Sequence, residues 1–144
     1  MLTAAVVGTG FIGPVHAEAL FRLGVTVKGI LGSSLEKSQQ SAEKLGLAVG
    51  YKDYQAVLDD ADVDVIHITT PNKFHFDMAS RAIQAGKHVV CEKPLAMTAA
   101  ETSQLVEMAN ANPNIVAAVN YNIRFYPMVL HAHELVKNGA IGDV

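Results

Sequence analysis

The sequence predicts an α/β fold, a doubly wound and mostly parallel sheet of about six strands with helices on both faces. Three observations carry this. Short β-rich runs alternate with longer helical patterns about six times, with short loops between them. The strand runs are apolar almost throughout, as a sheet covered on both faces requires. The first strand, ending Ala4-Ala5-Val6-Val7, runs straight into Gly8-Thr9-Gly10-Phe11-Ile12-Gly13, and a helical pattern begins there.

Each element has its own warrant. Leu2–Val7 reads as the first strand. Ile12, Val15, Ala19, Leu20 and Leu23 then recur at helical spacing, and Gly24 ends that helix. Val25–Leu31 is the second strand. Leu35–Leu45 is a helix stopped by Gly46, Ala48–Val49 a short third strand, and Asp53 caps a short helix through Leu58. Val63–Thr69 is the fourth strand, followed by a helix from Phe74 to Ala85 that Gly86 stops. His88–Cys91 is the fifth strand. Thr98 with Glu101 three residues on forms a capping box for the next helix. Asn112-Pro113-Asn114 breaks that helix, Ile115–Val119 is the sixth strand, and a last helix runs from about Tyr126 to Lys137.

A strand, a tight glycine turn and a helix N-terminus make a site for a dinucleotide pyrophosphate. The helix end offers unpaired N–H groups and the positive end of its dipole. Gly8 permits the turn, Gly10 lets a pyrophosphate approach the backbone, and Gly13 lets helix and strand pack closely. Phe11 and Ile12 are expected to point into the core or against the cofactor. A lone G-x-G-x-x-G is shared by many families, but its place between strand and helix at the head of a β-α series selects dinucleotide binding, and with it the Rossmann arrangement.

The end of the second strand bears on which dinucleotide. NAD sites usually place Asp or Glu there, bonded to the ribose 2′-OH. Here the residues are Leu31-Gly32-Ser33-Ser34-Leu35-Glu36-Lys37. Gly32 leaves room and removes a carboxylate that would repel a 2′-phosphate. Ser33 and Ser34 offer hydroxyls and Lys37 a positive charge, so NADP is preferred to NAD. The same residues admit a second account, in which Ser33 and Glu36 are simply a capping box and Lys37 a solvated helix residue. No Arg, the side chain best suited to a bidentate phosphate contact, is present here.

Further signals follow in order. The fourth strand ends in Thr69-Thr70-Pro71-Asn72 with His75 close behind. The fifth ends in Cys91-Glu92-Lys93-Pro94-Leu95. The sixth leads to Asn120-Tyr121-Asn122-Ile123-Arg124-Phe125 and on to Gly139-Ala140-Ile141-Gly142. With the glycine loop and His16, this ordered set resembles the glucose–fructose oxidoreductase, inositol dehydrogenase and rhizopine-catabolism family across essentially the whole chain. The resemblance implies an N-terminal dinucleotide domain, here residues 1–144, and a C-terminal substrate domain that this chain is expected to lack. It implies that Thr70, Pro71 and Asn72 border the nicotinamide-side ribose and that His75 supports their loop. It places Glu92 and Lys93 toward nicotinamide and substrate, with Pro94 after a strained or cis bond fixing their direction, and Arg124 near the substrate entrance.

The implied activity is hydride transfer between NADP or NAD and a sugar or cyclitol hydroxyl. Lys93 is the candidate catalytic residue, its amine pKa lowered by desolvation beside the ring. The general acid/base histidine of the family lies in the C-terminal domain, so no turnover is expected from these residues alone. The alternative is a noncatalytic NAD(P)-binding sensor or partner module. Bland roles are the simpler ones elsewhere. His67 reads as a packed core histidine, His16 as packing near the loop, and Cys91 as a small buried hydrophobe.

Composition narrows the partners. The chain has 144 residues, enough for one domain with a real core, half of them hydrophobic and only 17% charged. A net charge of −3 with no basic run argues against nucleic acid and anionic membranes. The apolar stretches are strand-sized, well short of the ~20 residues that span a bilayer. The single cysteine and the absence of a signal-peptide pattern point to the cytoplasm. No metal-ligand spacing appears, so no metal is expected. Homo-oligomerisation stays open.

Overall fold

The computed structural model describes residues 2–143. Six strands form one sheet: β1 (Thr3–Val7), β2 (Thr26–Leu31), β3 (Val49–Tyr51), β4 (Val65–Ile68), β5 (His88–Glu92) and β6 (Ala117–Asn120). Their order across the sheet is β3-β2-β1-β4-β5-β6, and every neighbouring pair is parallel. The helices are α1 (Ile12–Arg22), α2 (Leu35–Leu45), α3 (Tyr54–Leu58), α4 (His75–Gln84), α5 (Ala99–Ala111) and α6 (Pro127–Lys137). Short 3₁₀ turns cover Asn72–Phe74 and Asn122–Phe125. The doubly wound α/β fold expected from the sequence is the fold found.

The two-residue period of β1 divides the core. Ala4 and Val6 point to one face and pack with Ala17, Leu20, Ile30 and Ala42, under α1 and α2. Ala5 and Val7 point to the other and pack with Val57, Ile66, Ile68, Ile83 and Leu105, under α3, α4 and α5. All four β1 side chains are essentially inaccessible to solvent. A polar residue there would strand an unpaired group between two apolar layers, which explains the unbroken apolar run.

The helix ends follow local chemistry. Gly46 closes α2 at φ +66°, a conformation an L side chain rarely takes. Asp53 caps α3 through the Ala56 N–H, and Thr98 and Glu101 form the full capping box of α5. Several boundaries differ from expectation. The third strand is Val49–Tyr51 rather than Ala48–Val49, because Gly29 and Gly50 let β2, β3 and α2 approach at backbone distance. A Cβ on Gly29 would stand 2.5 Å from the Val49 carbonyl oxygen, and one on Gly50 would stand 2.7 Å from the Gln39 nitrogen. The cap of α2 is Ser34, which accepts from the Lys37 N–H, so the Ser33–Glu36 capping box of the alternative account does not form. The last strand begins at Ala117, and α6 carries no buried residue. No helix among the described residues is long and apolar enough to cross a membrane.

Candidate functional site

Parallel strands put all their C-terminal ends on one edge. The strand order reverses between β1 and β4, so the connections leaving them diverge and open a crevice there. A cleft of about 830 Å³ lies at this position. It is lined by the loop from Gly8 to Ile12, by Gly32, Ser33 and Lys37 after β2, and by Thr69, Thr70 and Pro71 after β4. That volume suits a ligand of cofactor size.

The three motif glycines do different things. Gly8 has φ +122°, and a Cβ there would stand 2.5 Å from Thr69 Oγ1. Gly13 is buried behind the loop, and a Cβ on it would run into the carbonyl of Gly8. Both are demanded by the fold. Gly10 is exposed, lines the cleft, and a Cβ on it would meet nothing within 4 Å. No protein atom therefore requires glycine at position 10. Thr69 ties the loop to β4, its hydroxyl donating to the Val7 carbonyl at 3.0 Å while its N–H donates to the same oxygen at 2.8 Å. Phe11 is 86% exposed and lines the cleft, as does the partly exposed Ile12. Neither enters the core, because the helix they open is turned so that Gly13, His16, Ala17 and Leu20 face inward.

At the β2 end, Lys37 Nζ donates to Ser33 Oγ at 3.1 Å, and both side chains are exposed. Ser34 is occupied as the helix cap and does not line the cleft. Gly32 lines the cleft, and the fold itself also favours glycine there. A Cβ there would stand 3.0 Å from Lys37 Cβ and Ser38 N and 3.1 Å from Thr9 Cγ2. Sequence reading missed Gln40, Ser41 and Lys44, which also line the cleft. Their spacing from Lys37, three, four and seven residues, marks one helix face and could have revealed them. It also missed Ser38, fully buried, whose hydroxyl accepts from Gly32 N–H and donates to Ser34 O, fixing the turn.

A second group of site candidates follows the ends of β4, β5 and β6 on the same edge. His75 is wholly buried, with Nε2 2.8 Å from the Thr70 carbonyl oxygen and Nδ1 2.7 Å from that of Pro94. It thus sits between the loops that follow β4 and β5. Thr70 and Pro71 line the cleft, while Asn72 opens the 3₁₀ turn and is exposed. The Lys93–Pro94 bond is cis. Lys93 is solvent-exposed and does not line the cleft, so the desolvation expected of its amine is not provided by these residues. Arg124 stands exposed in the second 3₁₀ turn, its guanidinium 5.8 Å from the Phe125 ring. Glu92 does not line the cleft either. It joins His16, His67 and Asn120 in a polar cluster, so neither histidine is simply packed among apolar groups. Burial opposes the charge on Glu92, but hydrogen bonds from Asn120, His16 and the Lys93 N–H outweigh it and hold the carboxyl below its usual range.

The sequence and fold match those of known proteins. The model of an oxidoreductase family with an NAD-binding Rossmann fold matches residues 2–121. Levoglucosan dehydrogenase of Pseudarthrobacter phenanthrenivorans is 33% identical over 99% of this chain and 39% of its own length. Inositol 2-dehydrogenase of Salmonella paratyphi B is 33% identical over 99% of this chain and 43% of its own length. The crystal structure of myo-inositol 2-dehydrogenase from Lactobacillus plantarum superposes with a TM-score of 0.89 at 29% identity, covering 99% of this chain and 43% of that one. A levoglucosan dehydrogenase in complex with NADH and levoglucosan gives a TM-score of 0.86 at 33% identity, over 98% and 40% of the two chains. The chain thus spans about two fifths of the length of the curated relatives it matches. The family model covers most of the chain, with the glycine loop inside the matched residues: this chain belongs to the oxidoreductase family with the NAD-binding Rossmann fold.

Proposed function

We propose that residues 1–144 bind a nicotinamide dinucleotide through the Gly8–Gly13 loop, NADP in preference to NAD. Within a longer oxidoreductase they present it to a sugar or cyclitol hydroxyl. The observation that carries this is Gly10, a glycine no protein atom requires, at the mouth of a cleft on the sheet edge. The cradle fits a pyrophosphate because a Cβ there would fill space that the surrounding protein leaves open. The Ser33, Lys37 and Lys44 side chains at the β2 end support a 2′-phosphate, and among the described residues no carboxylate lines that end of the cleft. Thr70 and Pro71 are the cleft residues that would border the nicotinamide-side ribose. Asn72 would join them at that ribose, and Glu92, Lys93, Pro94 and Arg124 would face the nicotinamide and the approaching substrate.

A bound nicotinamide would supply the hydride acceptor or donor. The chain's own work is to bind it, orient it, and offer Lys93 toward the reacting hydroxyl. Levoglucosan dehydrogenase has been solved with NADH, so NAD is the competing choice. Calorimetric titration of this chain with NADPH and NADH decides between them. NADPH is expected to bind about tenfold or more tightly, the scale of one hydrogen bond to a charged group. Ser33→Asp should reverse the order by repelling the phosphate. It is a cleaner probe than Gly32→Asp, whose Cβ would be crowded. Tighter binding of NADH would overturn the NADP preference, and binding of neither would overturn the proposal.

A further inference from the structure

Glu92 stands at the last position of β5, paired in register with Asn120 at the last position of β6. A carboxylate at a strand end is free to rotate into solvent unless something holds it. Here three donors hold it. Asn120 Nδ2 and His16 Nε2 donate to Oε1, the histidine at 3.1 Å, and the Lys93 backbone N–H donates to Oε2 at 3.2 Å. The carboxylate can only accept, so His16 carries its proton on Nε2, and Asn120 Nδ2, 3.1 Å from that nitrogen, donates to Oε1 instead. His16 Nδ1 is then an acceptor, and His67 Nδ1 supplies the hydrogen at 3.0 Å. The two rings meet edge to face at 82° with centroids 5.2 Å apart, which gives His16 a single orientation. His16 is 8% exposed, so solvent does not compete for its place on Glu92.

We infer that His16 and Asn120 are positioning residues for Lys93: they fix the Glu92 carboxylate against the Lys93 backbone N–H and so set the direction in which Lys93 leaves the sheet edge. His67 serves the same end one step back, by fixing the His16 tautomer. The inference rests on the proposed function only in assigning Lys93 a purpose. The hydrogen-bonded chain from α1 through β5 to the 92–94 turn stands without it. It also explains a histidine in the second turn of α1, beneath the glycine loop, which neither the core nor the cleft requires.

The test uses the whole 144-residue chain and reads two quantities by NMR: the exchange rate of the Lys93 amide and the pH titration of the Glu92 side-chain carboxyl. His16→Leu fills the ring's volume but removes the donor, and His16→Gln restores an N–H at the Nε2 position. In His16→Leu the Lys93 amide should exchange about tenfold faster or more, the scale of one hydrogen bond to a charged group. The Glu92 carboxyl should titrate at higher pH. His16→Gln should return both toward wild type. If His16→Leu does not fold, Asn120→Ala on the exposed edge strand withdraws a donor from the same oxygen and should shift both readouts in the same direction. Unchanged Lys93 exchange and Glu92 titration in the folded variant, or His16→Gln no better than His16→Leu, would overturn the inference. Dinucleotide titration of the wild type is run separately. Its failure would remove the proposed function and leave the Lys93 result intact.

Discussion

Two glycines three residues apart should fail in opposite ways when a side chain is added. At Gly10 a Cβ meets nothing within 4 Å, and the position lines the cleft. Gly10→Val should therefore cost little stability, within roughly 0.5–1 kcal/mol, the range for a surface change or for losing glycine's conformational freedom. Its branched side chain would stand where a pyrophosphate meets the loop N–H groups. Losing two hydrogen bonds to a charged group, at roughly 1.5–3 kcal/mol each, should weaken dinucleotide binding by about a hundredfold or more. At Gly13 a Cβ collides with the carbonyl of Gly8, coming within 3.0 Å of its carbon and 3.3 Å of Thr69 Oγ1. That neighbour is backbone and cannot rotate away. Gly13→Ala should cost about 1–3 kcal/mol or more, as overpacking does. For a chain of this size that lowers Tm by roughly 3–10 °C. Thermal melts and calorimetric titration of both variants provide the assay. A Gly10→Val variant that binds like wild type would refute the cradle assignment. A Gly10→Val variant as destabilised as Gly13→Ala would refute the claim that the fold does not need glycine there.

Other predictions follow from the same structure. Burial, reinforced by His16, pushes the His67 pKa down to about 4 from the ordinary 6.5. The unfolded chain then binds the extra proton first, so stability is lost as pH falls from about 6.5 to about 4, by up to about 3 kcal/mol. His67→Asn, which keeps a donor near Nδ1, should flatten Tm against pH over that window. Any remaining loss should begin only at lower pH, where the unfolded chain protonates Glu92 and Asp60 before the folded chain, whose hydrogen bonds hold both carboxyls low, can do so. Burial, with the charge of Glu92 adding to it, raises the Cys91 thiol to about 12. A thiol reagent should label it only in denaturant, and rapid labelling of the native chain would contradict its placement. Thr98→Ala removes the capping box of α5 and should cost about 1 kcal/mol, read as a melting-point drop of a few degrees.

The fold was legible because its signals are local and repeated. Apolar runs, glycine stops at Gly46 and Gly86, and caps at Asp53 and Thr98 each act within a few residues. The cleft was legible for the same reason, since the glycine motif, Ser33 with Lys37, and Thr70 with Pro71 are all contiguous in sequence. What escaped reading is held by contacts between distant segments. Nothing near Thr69 reveals that its hydroxyl reaches Val7, and nothing near His16 reveals Glu92, 76 positions away. That the fold itself also favours glycine at position 32 was not legible, because the space around a glycine depends on what stands opposite, here Thr9 and Ser38. The α2 cap went to Ser34 rather than Ser33 because the turn is fixed by the buried Ser38 hydroxyl, which short-range spacing does not show.

The buried His75 ring has a dynamic consequence. Its two nitrogens reach the carbonyls of Thr70 and Pro94, so neither loop can peel away without breaking a contact that the other shares. Opening either segment uncovers the buried ring that both touch, so the segments after β4 and β5 are expected to open together. The margin of the cleft and the turn that carries Lys93 are then coupled through one ring. A ligand that steadies the first also pays part of the ordering entropy of the second.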